Sequence, residues 1–155
     1  MRTTKLIAVG RIRCGFWSDA CARYTERLRR FGVRLEEAAV KDGDAGLSPA
    51  ERREQEGERI LGRIRPADVV FCLDETGGEK TSAEFAALVR GLHDAGRIPC
   101  FVVGGPDGLA PRVPAAAEHV LSLGRMTLPH ELARVLLLEQ LYRAENIIRN
   151  TPYHR

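Results

Sequence analysis

The sequence predicts one α/β domain built on a parallel sheet, and three observations support this prediction. Five short apolar runs alternate along the chain with helical segments, an order typical of parallel-sheet proteins. The runs show little polar alternation, as expected of strands that are covered on both faces. The 155 residues are enough for one well-buried core, and no linker or repeat divides them. We therefore treat residues 1–155 as a single domain.

The elements follow from apolar runs and from the residues that interrupt them. The expected strands are residues 5–9, 33–40, 69–73, 98–103 and 120–123. Between and after them, the pattern predicts helices over residues 17–30, 49–64, 82–93, 111–118 and 129–149. Capping residues mark several helix starts, namely Ser18 or Asp19, Ser48 before Pro49, and Thr81 or Ser82. Residues 74–78 are expected to form a turn.

The fourth strand ends in a turn that carries three glycines, Pro106 and Asp107. In open α/β proteins, ligands bind at the carboxyl ends of the strands, so this turn is a candidate ligand site. A tight turn without a ligand is the alternative. The turn lacks the P-loop ending, and it does not follow the first strand as a dinucleotide fingerprint does. Together with the loops at 73–78 and 123–130, it instead suits an adenine-bearing cofactor held by main-chain groups and apolar contacts.

Composition is ordinary for a soluble domain, with 44% hydrophobic and 29% charged residues. No apolar run approaches the length of a membrane span, and the first run is too short for a secretory signal, so we expect a cytoplasmic protein. The four cysteines lack the spacing of a zinc site, and we expect neither a metal nor disulfides. The net charge of +3 permits an RNA partner without requiring one.

The last predicted helix carries two apolar faces, one around Leu137 and Leu141 and the other around Leu138 and Tyr142. Two such faces imply two packing partners. One partner would be the domain's own sheet; the other is either a second subunit or a neighbouring helix of the same domain. The tail at 151–155 is either a disordered terminus or, through its tyrosine, histidine and arginine, an RNA-binding element.

Several segments, taken together, resemble the RlmH (YbeA-type) family of SPOUT methyltransferases. The resemblance is carried by Phe-Val-Val-Gly-Gly-Pro-Asp-Gly-Leu at 101–109, by Leu-Ser-Leu-Gly-Arg-Met-Thr-Leu-Pro-His at 121–130, and by the ending Pro-Tyr-His-Arg. Further matches at 55–58, 73–75 and 139–144 extend it over the whole chain.

This resemblance implies a Rossmann-like α/β-knot fold with a deep C-terminal trefoil knot, and a homodimer. It implies methyl transfer from S-adenosyl-L-methionine to N3 of pseudouridine 1915, in helix 69 of 23S rRNA on the assembled ribosome. Two alternatives stay open at this point. The protein could be a SPOUT methyltransferase of another rRNA or tRNA base, or a catalytically inactive dimer that binds the ribosome.

The resemblance also assigns site residues. It implies cofactor contacts from Leu73, Gly104, Leu123, Gly124, Arg125, Met126, Thr127 and Leu128. Proton handling would fall to His154 and Tyr153, with His130 as the third candidate, while Arg155 and Arg143 would hold phosphate or the target base. The reaction that it implies needs no metal.

Overall fold

A computed structural model describes residues 1–154, which form a five-stranded parallel sheet. The strand order is β2-β1-β4-β3-β5, and every neighbouring pair is parallel. The strands are β1 (Arg2–Val9), β2 (Val33–Val40), β3 (Asp68–Glu79), β4 (Ile98–Val103) and β5 (His119–Ser122). Because the strands are parallel, the loops that follow them all emerge at one edge of the sheet.

Helices cover both faces of this sheet. They are α1 (Gly15–Arg30), α2 (Pro49–Leu61), α3 (Ser82–Asp94), α4 (Arg112–Ala116) and α5 (His130–Ile148). Side chains of α1, α3 and α5 share one buried cluster with the sheet, and those of α2 and α4 share the other. The expected α/β class and element order are therefore confirmed. None of the helices within residues 1–154 is both long and apolar enough to cross a bilayer.

The capping residues explain where two helices begin. Ser48 and Thr81 each accept a hydrogen bond from the backbone of a glutamate three residues later, and that glutamate bonds back. Such reciprocal capping satisfies main-chain donors that the first turn leaves unpaired. The prediction of Ser18 or Asp19 as the cap of α1 is wrong. The helix already begins at Gly15, and the Ser18 N–H donates to the Cys14 carbonyl at 3.0 Å.

Strand β3 corrects the expectation of a plain turn after Leu73. Leu73 and Gly78 both pair with Leu121 of β5, so residues 74–77 bulge out before the strand resumes. The return depends on Gly77, because a Cβ there would lie 2.7 Å from the Val120 carbonyl oxygen. The bulge directs residues 74–77 away from the sheet, at the edge where β4 and β5 also end.

Helix α5 packs within the chain on both of its apolar faces. Leu137, Leu138, Leu141 and Ala144 are buried in the cluster that α5 shares with α1 and α3. Tyr142 lies 6.0 Å from the Tyr24 ring of α1, and Ser82 of α3 donates to Gln140 at 2.7 Å. Of the two explanations for the two-faced pattern, packing inside one domain thus accounts for it without a second subunit.

Candidate functional site

A cavity of about 470 Å³ lies at the carboxyl ends of β3, β4 and β5. Its volume is in the range of pockets that bind small molecules and cofactors. Three segments line it, namely residues 73–76, residues 103–109 and a third segment that begins at Leu123 and ends at Ala133 in the first turn of α5. The predicted convergence of three loops is confirmed, and the glycine turn forms one wall.

The glycine turn, residues 105–108, closes through a hydrogen bond from the Gly108 N–H to the Gly105 carbonyl at 3.0 Å. Pro106 and Asp107 occupy its central positions, where proline and aspartate are favoured. Gly108 has φ +80°, a conformation that an L side chain rarely adopts. A Cβ on Gly105 would lie 3.1 Å from Val9 of β1, so the main chain runs close against the sheet. The turn therefore exposes main-chain groups to the cavity.

Helix α2 holds this turn from outside the cavity. The Arg52 guanidinium donates to both carboxylate oxygens of Asp107, at 2.9 and 3.3 Å, and Arg53 donates to the Asp107 carbonyl at 3.3 Å. The hydrogen bonds from Arg52 lower the pKa of Asp107. Asp107 therefore stays ionised, and the turn is tied to α2 by a paired charge.

Glu56 is a further residue of α2 that lies against the glycine turn. Its side chain is only 4% exposed, and its Oε1 accepts the Gly43 N–H at 3.1 Å. The other oxygen has no hydrogen-bond partner among the described residues and lies beside Gly105. The roles of Arg52, Asp107 and Glu56 were not predicted from the sequence. The only local signal was the aspartate inside the glycine turn.

The cofactor residues implied by the resemblance lie together, with one exception. Leu73, Gly104, Leu123, Gly124, Met126, Thr127 and Leu128 all line the cavity. The Thr127 hydroxyl donates to Glu75, which joins the third loop to the first. Arg125 does not line the cavity; its side chain is 89% exposed and lies 3.7 Å from Glu79.

A second cavity, of about 300 Å³, adjoins the first and shares Leu123 and Gly124 with it. It lies between α3 and α5, where Lys80, Ser82 and Gln140 contribute polar groups. Both cavities therefore reach the residues that directly follow β5.

The candidate catalytic residues fall into two groups. His130 lines the main cavity at the first turn of α5. Tyr153 instead packs against the middle of α5, where its hydroxyl donates to Glu139 Oε1 at 3.2 Å and its ring lies 4.8 Å from the Tyr142 ring. His154 is exposed. Arg155 lies outside the described residues.

Arg143, a candidate substrate-binding residue, lies beside Tyr153 and not at the cavity. Its guanidinium donates to Glu139 at 2.6 Å and lies 4.9 Å from the centre of the Tyr153 ring. Burial raises the pKa of Tyr153 to about 12, so the phenol stays protonated at neutral pH and acts as a donor. Glu139 is nine residues beyond His130 on the same helix, which is about 14 Å along the axis. The tail and the cavity of one chain are therefore separate.

The cysteines lie away from this chemistry. All four are free, and burial raises the pKa of Cys21 to about 11 and those of Cys72 and Cys100 to about 12. Thiols with such values are poor nucleophiles at neutral pH. Within residues 1–154, no cluster of histidine, cysteine and carboxylate side chains could hold a metal ion.

Comparison with known proteins identifies the family. A family model described as predicted SPOUT methyltransferase matches residues 1–154. The chain belongs to this SPOUT methyltransferase family. This SPOUT methyltransferase is 52% identical, over 99% of both chains, to the ribosomal RNA large subunit methyltransferase H of Nitratidesulfovibrio vulgaris strain DP4. It is 46% identical, again over 99% of both, to the protein of that name from Oleidesulfovibrio alaskensis.

A solved structure is similar to this SPOUT methyltransferase in fold. The crystal structure of a probable methyltransferase from Bordetella pertussis Tohama I superposes with a TM-score of 0.52. The match covers 93% of this chain and 94% of the other, at 14% sequence identity. At that identity the likeness supports the α/β architecture alone.

Proposed function

We propose that this protein is an S-adenosylmethionine-dependent methyltransferase of large-subunit ribosomal RNA. The observation that carries the proposal is 52% identity, over 99% of both chains, to a large subunit rRNA methyltransferase. The cavity at the carboxyl ends of three strands supports it, because it offers a cofactor-sized space at the expected edge of the sheet. An rRNA substrate also supports the expectation of a cytoplasmic protein.

The cavity residues fit an adenosyl cofactor. Leu73, Met126 and Leu128 provide apolar surface for a flat base, and the glycine turn provides main-chain donors and acceptors. Gly104, Leu123, Gly124 and the backbone of Arg125 and Thr127 complete the proposed cofactor set. When bound, S-adenosylmethionine would supply an electrophilic methyl group on a sulfonium, from which a neutral thioether is a good leaving group. The protein's own contribution is then positioning and removal of a proton.

The target that the family resemblance implies is N3 of pseudouridine 1915, in helix 69 of 23S rRNA on the assembled ribosome. N3 of this base carries a proton that must leave when the methyl group is added. We assign its removal to His154 or His130, the two imidazoles of the proposed site. Tyr153 stays a phenol and would position a partner through its hydroxyl. Arg143 and Arg155 would hold phosphate or the target base.

The separation of tail and cavity supports a homodimer. Within one chain, Tyr153 contacts Glu139, about 14 Å along α5 from His130. A dimer in which the tail of one subunit reaches the cavity of the other would unite both groups in one site. Mixing a Tyr153→Phe, His154→Ala variant with a variant that cannot bind the cofactor tests this arrangement. Activity recovered by the mixture supports it, and two inactive variants that stay inactive when mixed contradict it.

We also propose the deep C-terminal trefoil knot of the SPOUT fold. The strand order, in which β5 pairs with β3 and β4 lies between β3 and β1, is compatible with such a knot. Stretching single molecules by their ends tests it. An unknotted chain reaches its full contour of about 3.6 Å per residue. A knotted chain tightens instead, and its extended length is shorter than that contour by the length of chain held in the knot.

Mass spectrometry of large-subunit rRNA from a strain that lacks this gene tests the proposed reaction. We expect the methylpseudouridine signal to disappear and to return when the wild-type gene is supplied. If the signal at that base is unchanged while another rRNA or tRNA base loses its methyl group, the protein is a methyltransferase of different specificity. Calorimetry with S-adenosylmethionine separates the enzyme from an inactive ribosome-binding dimer, which would bind none of it.

The roles of the tail residues have their own test. Full methylation by the Tyr153→Phe, His154→Ala variant would remove both residues from the mechanism.

A further inference from the structure

The loop that follows β1 lies at the same edge of the sheet as the cavity but has no part in the cofactor site. We call residues 11–17, which comprise this loop and the first three residues of α1, the arginine–aromatic loop. Arg11, Arg13 and Phe16 are all exposed, with 87% of the Arg13 side chain and 66% of Phe16 open to solvent. A phenylalanine that exposed is unusual in a soluble domain, because burying its ring is favourable.

The backbone of this loop is anchored to α5 beside the cavity. The buried Arg134 donates to the Gly10 carbonyl at 3.0 Å, and the Arg13 N–H donates to Glu131. Glu131 is the neighbour of His130, which lines the cavity. The loop is therefore held in place next to the proposed site while its side chains point outward, so little ordering is needed for them to meet a partner.

The two arginines keep their charges available. Within residues 1–154, no carboxylate lies within ion-pair distance of Arg11. Among the described residues, Arg13 forms one ion pair, a 3.8 Å contact with the half-exposed Asp42. Exposed pairs of that length contribute little, so both guanidinium groups can bind another anion. Arg52 and Arg143, by contrast, are each held at less than 3 Å by a carboxylate.

Exposed apolar side chains occur both at the cavity and on the arginine–aromatic loop. Within residues 1–154 the large hydrophobic residues that are exposed are Met1, Phe16 and Met126. Met126 belongs to the cavity wall, and Phe16 is the second residue of α1, within the arginine–aromatic loop. The Phe16 and Trp17 rings contact each other edge to face, with centroids 4.6 Å apart. This contact supports the Phe16 ring while the residue stays 66% exposed.

We propose that the arginine–aromatic loop binds the RNA substrate, with Arg11 and Arg13 on phosphates and Phe16 stacked on an unpaired base. The inference rests on the proposed function and extends it to a surface for substrate recognition. Exposed rings beside arginines suit single-stranded or looped RNA, whose bases stack on aromatic faces while its phosphates pair with guanidinium groups. A protein partner would need more apolar surface than one ring and a methionine provide.

The test compares two loop variants with a matched control. The loop variants are Phe16→Ala and the double change Arg11→Ala, Arg13→Ala. The control is Arg29→Ala, Arg30→Ala, which removes the same charge from the far end of α1, about 20 Å away. Affinity for the large subunit within purified, assembled ribosomes is measured at several salt concentrations. S-adenosylmethionine binding is measured by calorimetry, and dimer content is measured by sedimentation.

We expect Phe16→Ala to weaken subunit binding about tenfold, a typical loss for one stacked base. Removing two phosphate contacts should lower the salt slope by about 1.4, since each contact on a single strand contributes about 0.7. Cofactor binding, dimer content and the control should match wild type.

Wild-type subunit affinity and salt slope in both loop variants would overturn the inference. A loss of affinity for the ribosomal subunit that accompanies dissociation of the protein dimer would also overturn it. The loop would then lie in the interface between the two protein chains. Binding and methylation are measured separately. A wild-type protein that binds subunits through this loop without methylating them would contradict the proposed function and leave the loop's role standing.

Discussion

Asp107 is the residue of the glycine turn that the arginines of α2 bind through hydrogen bonds. Arg52 donates to both of its carboxylate oxygens, and Arg53 donates to its carbonyl. The turn has few other side-chain contacts, since glycines and a proline make up the rest of residues 104–108. The position of one cavity wall therefore depends on the charged side chain of Asp107, which lies in that wall and pairs with α2.

We expect Asp107→Asn to weaken S-adenosylmethionine binding about tenfold, because small displacements of a binding wall are costly. Calorimetry measures the effect directly. Glu54→Gln is the matched control. Glu54 lies on α2, as Arg52 does, but its 3.1 Å ion pair is with Arg112 of α4, so the change removes that pair and leaves the turn alone. Equal affinities of the two variants for the cofactor would show that Asp107 does not position the turn.

His93 couples stability to pH. Its Nε2 lies 3.2 Å from the Thr3 carbonyl and 3.3 Å from the Thr4 hydroxyl, while the buried Nδ1 has no partner among the described residues. Nε2 therefore carries the proton and donates to Thr3. Burial lowers the pKa of His93 below its ordinary value of 6.5, because the charged ring would lose its hydration.

Below pH 6.5 the unfolded chain binds a proton at this position that the folded protein does not yet bind. The contribution of His93 to stability is therefore complete above pH 6.5 and falls as the pH drops toward its folded-state pKa. Urea unfolding at pH 7.5 and 5.5 should show lower stability at the lower pH. His93→Gln should reduce that difference, whereas the exposed His154→Gln should not. A pH dependence that is identical in all three proteins would exclude His93 as its source.

At the scale of elements, a buried ion pair joins β1 to the start of β3. Lys5 Nζ lies 2.8 Å from Asp68 Oδ2 and also donates to the Arg63 carbonyl at 2.6 Å. The same Asp68 oxygen accepts the Arg65 N–H at 2.8 Å. Both side chains are almost fully buried. The pair thus fixes the connection between α2 and β3 across the neighbouring strand β4.

Asp68→Ala should lower the free energy of unfolding by about 3–5 kcal/mol, because it leaves the Lys5 ammonium buried without its partner. Urea denaturation measures the change. A Lys5→Met, Asp68→Asn double variant should recover most of the loss, since it removes the buried charge and keeps an acceptor for the Arg65 N–H. If the single and double variants are equally unstable, the loss comes from packing and not from the unpaired charge.

At the scale of the whole molecule, local pattern predicted all ten elements in order. Continuous apolar runs identified the strands, and Ser48 and Thr81 marked the starts of α2 and α3. The cavity was also predictable, because parallel strands bring their following loops to one edge. The family followed from motifs in those same loops, and the comparisons confirm it.

Contacts between distant residues were beyond local pattern. The Arg52–Asp107 pair spans 55 positions, and neither residue signals the other in the sequence. The resumption of β3 after Leu73 depends on how closely Gly77 approaches β5, which no local pattern encodes. The position of the tail depends on where α5 ends and on the chain reversal that returns Tyr153 to Glu139. These are tertiary properties.

Helix α5 also has a consequence for the order in which the protein can be completed during synthesis. Its leucines fill the space between α1 and α3 on one face of the sheet, and its Glu145 binds Arg2 at the very start of the chain at 2.8 Å. Translation delivers this helix after all five strands. While a ribosome still holds α5, the nascent protein carries a complete set of strands with one apolar face open. This domain therefore reaches its final fold only after α5 has left the ribosome.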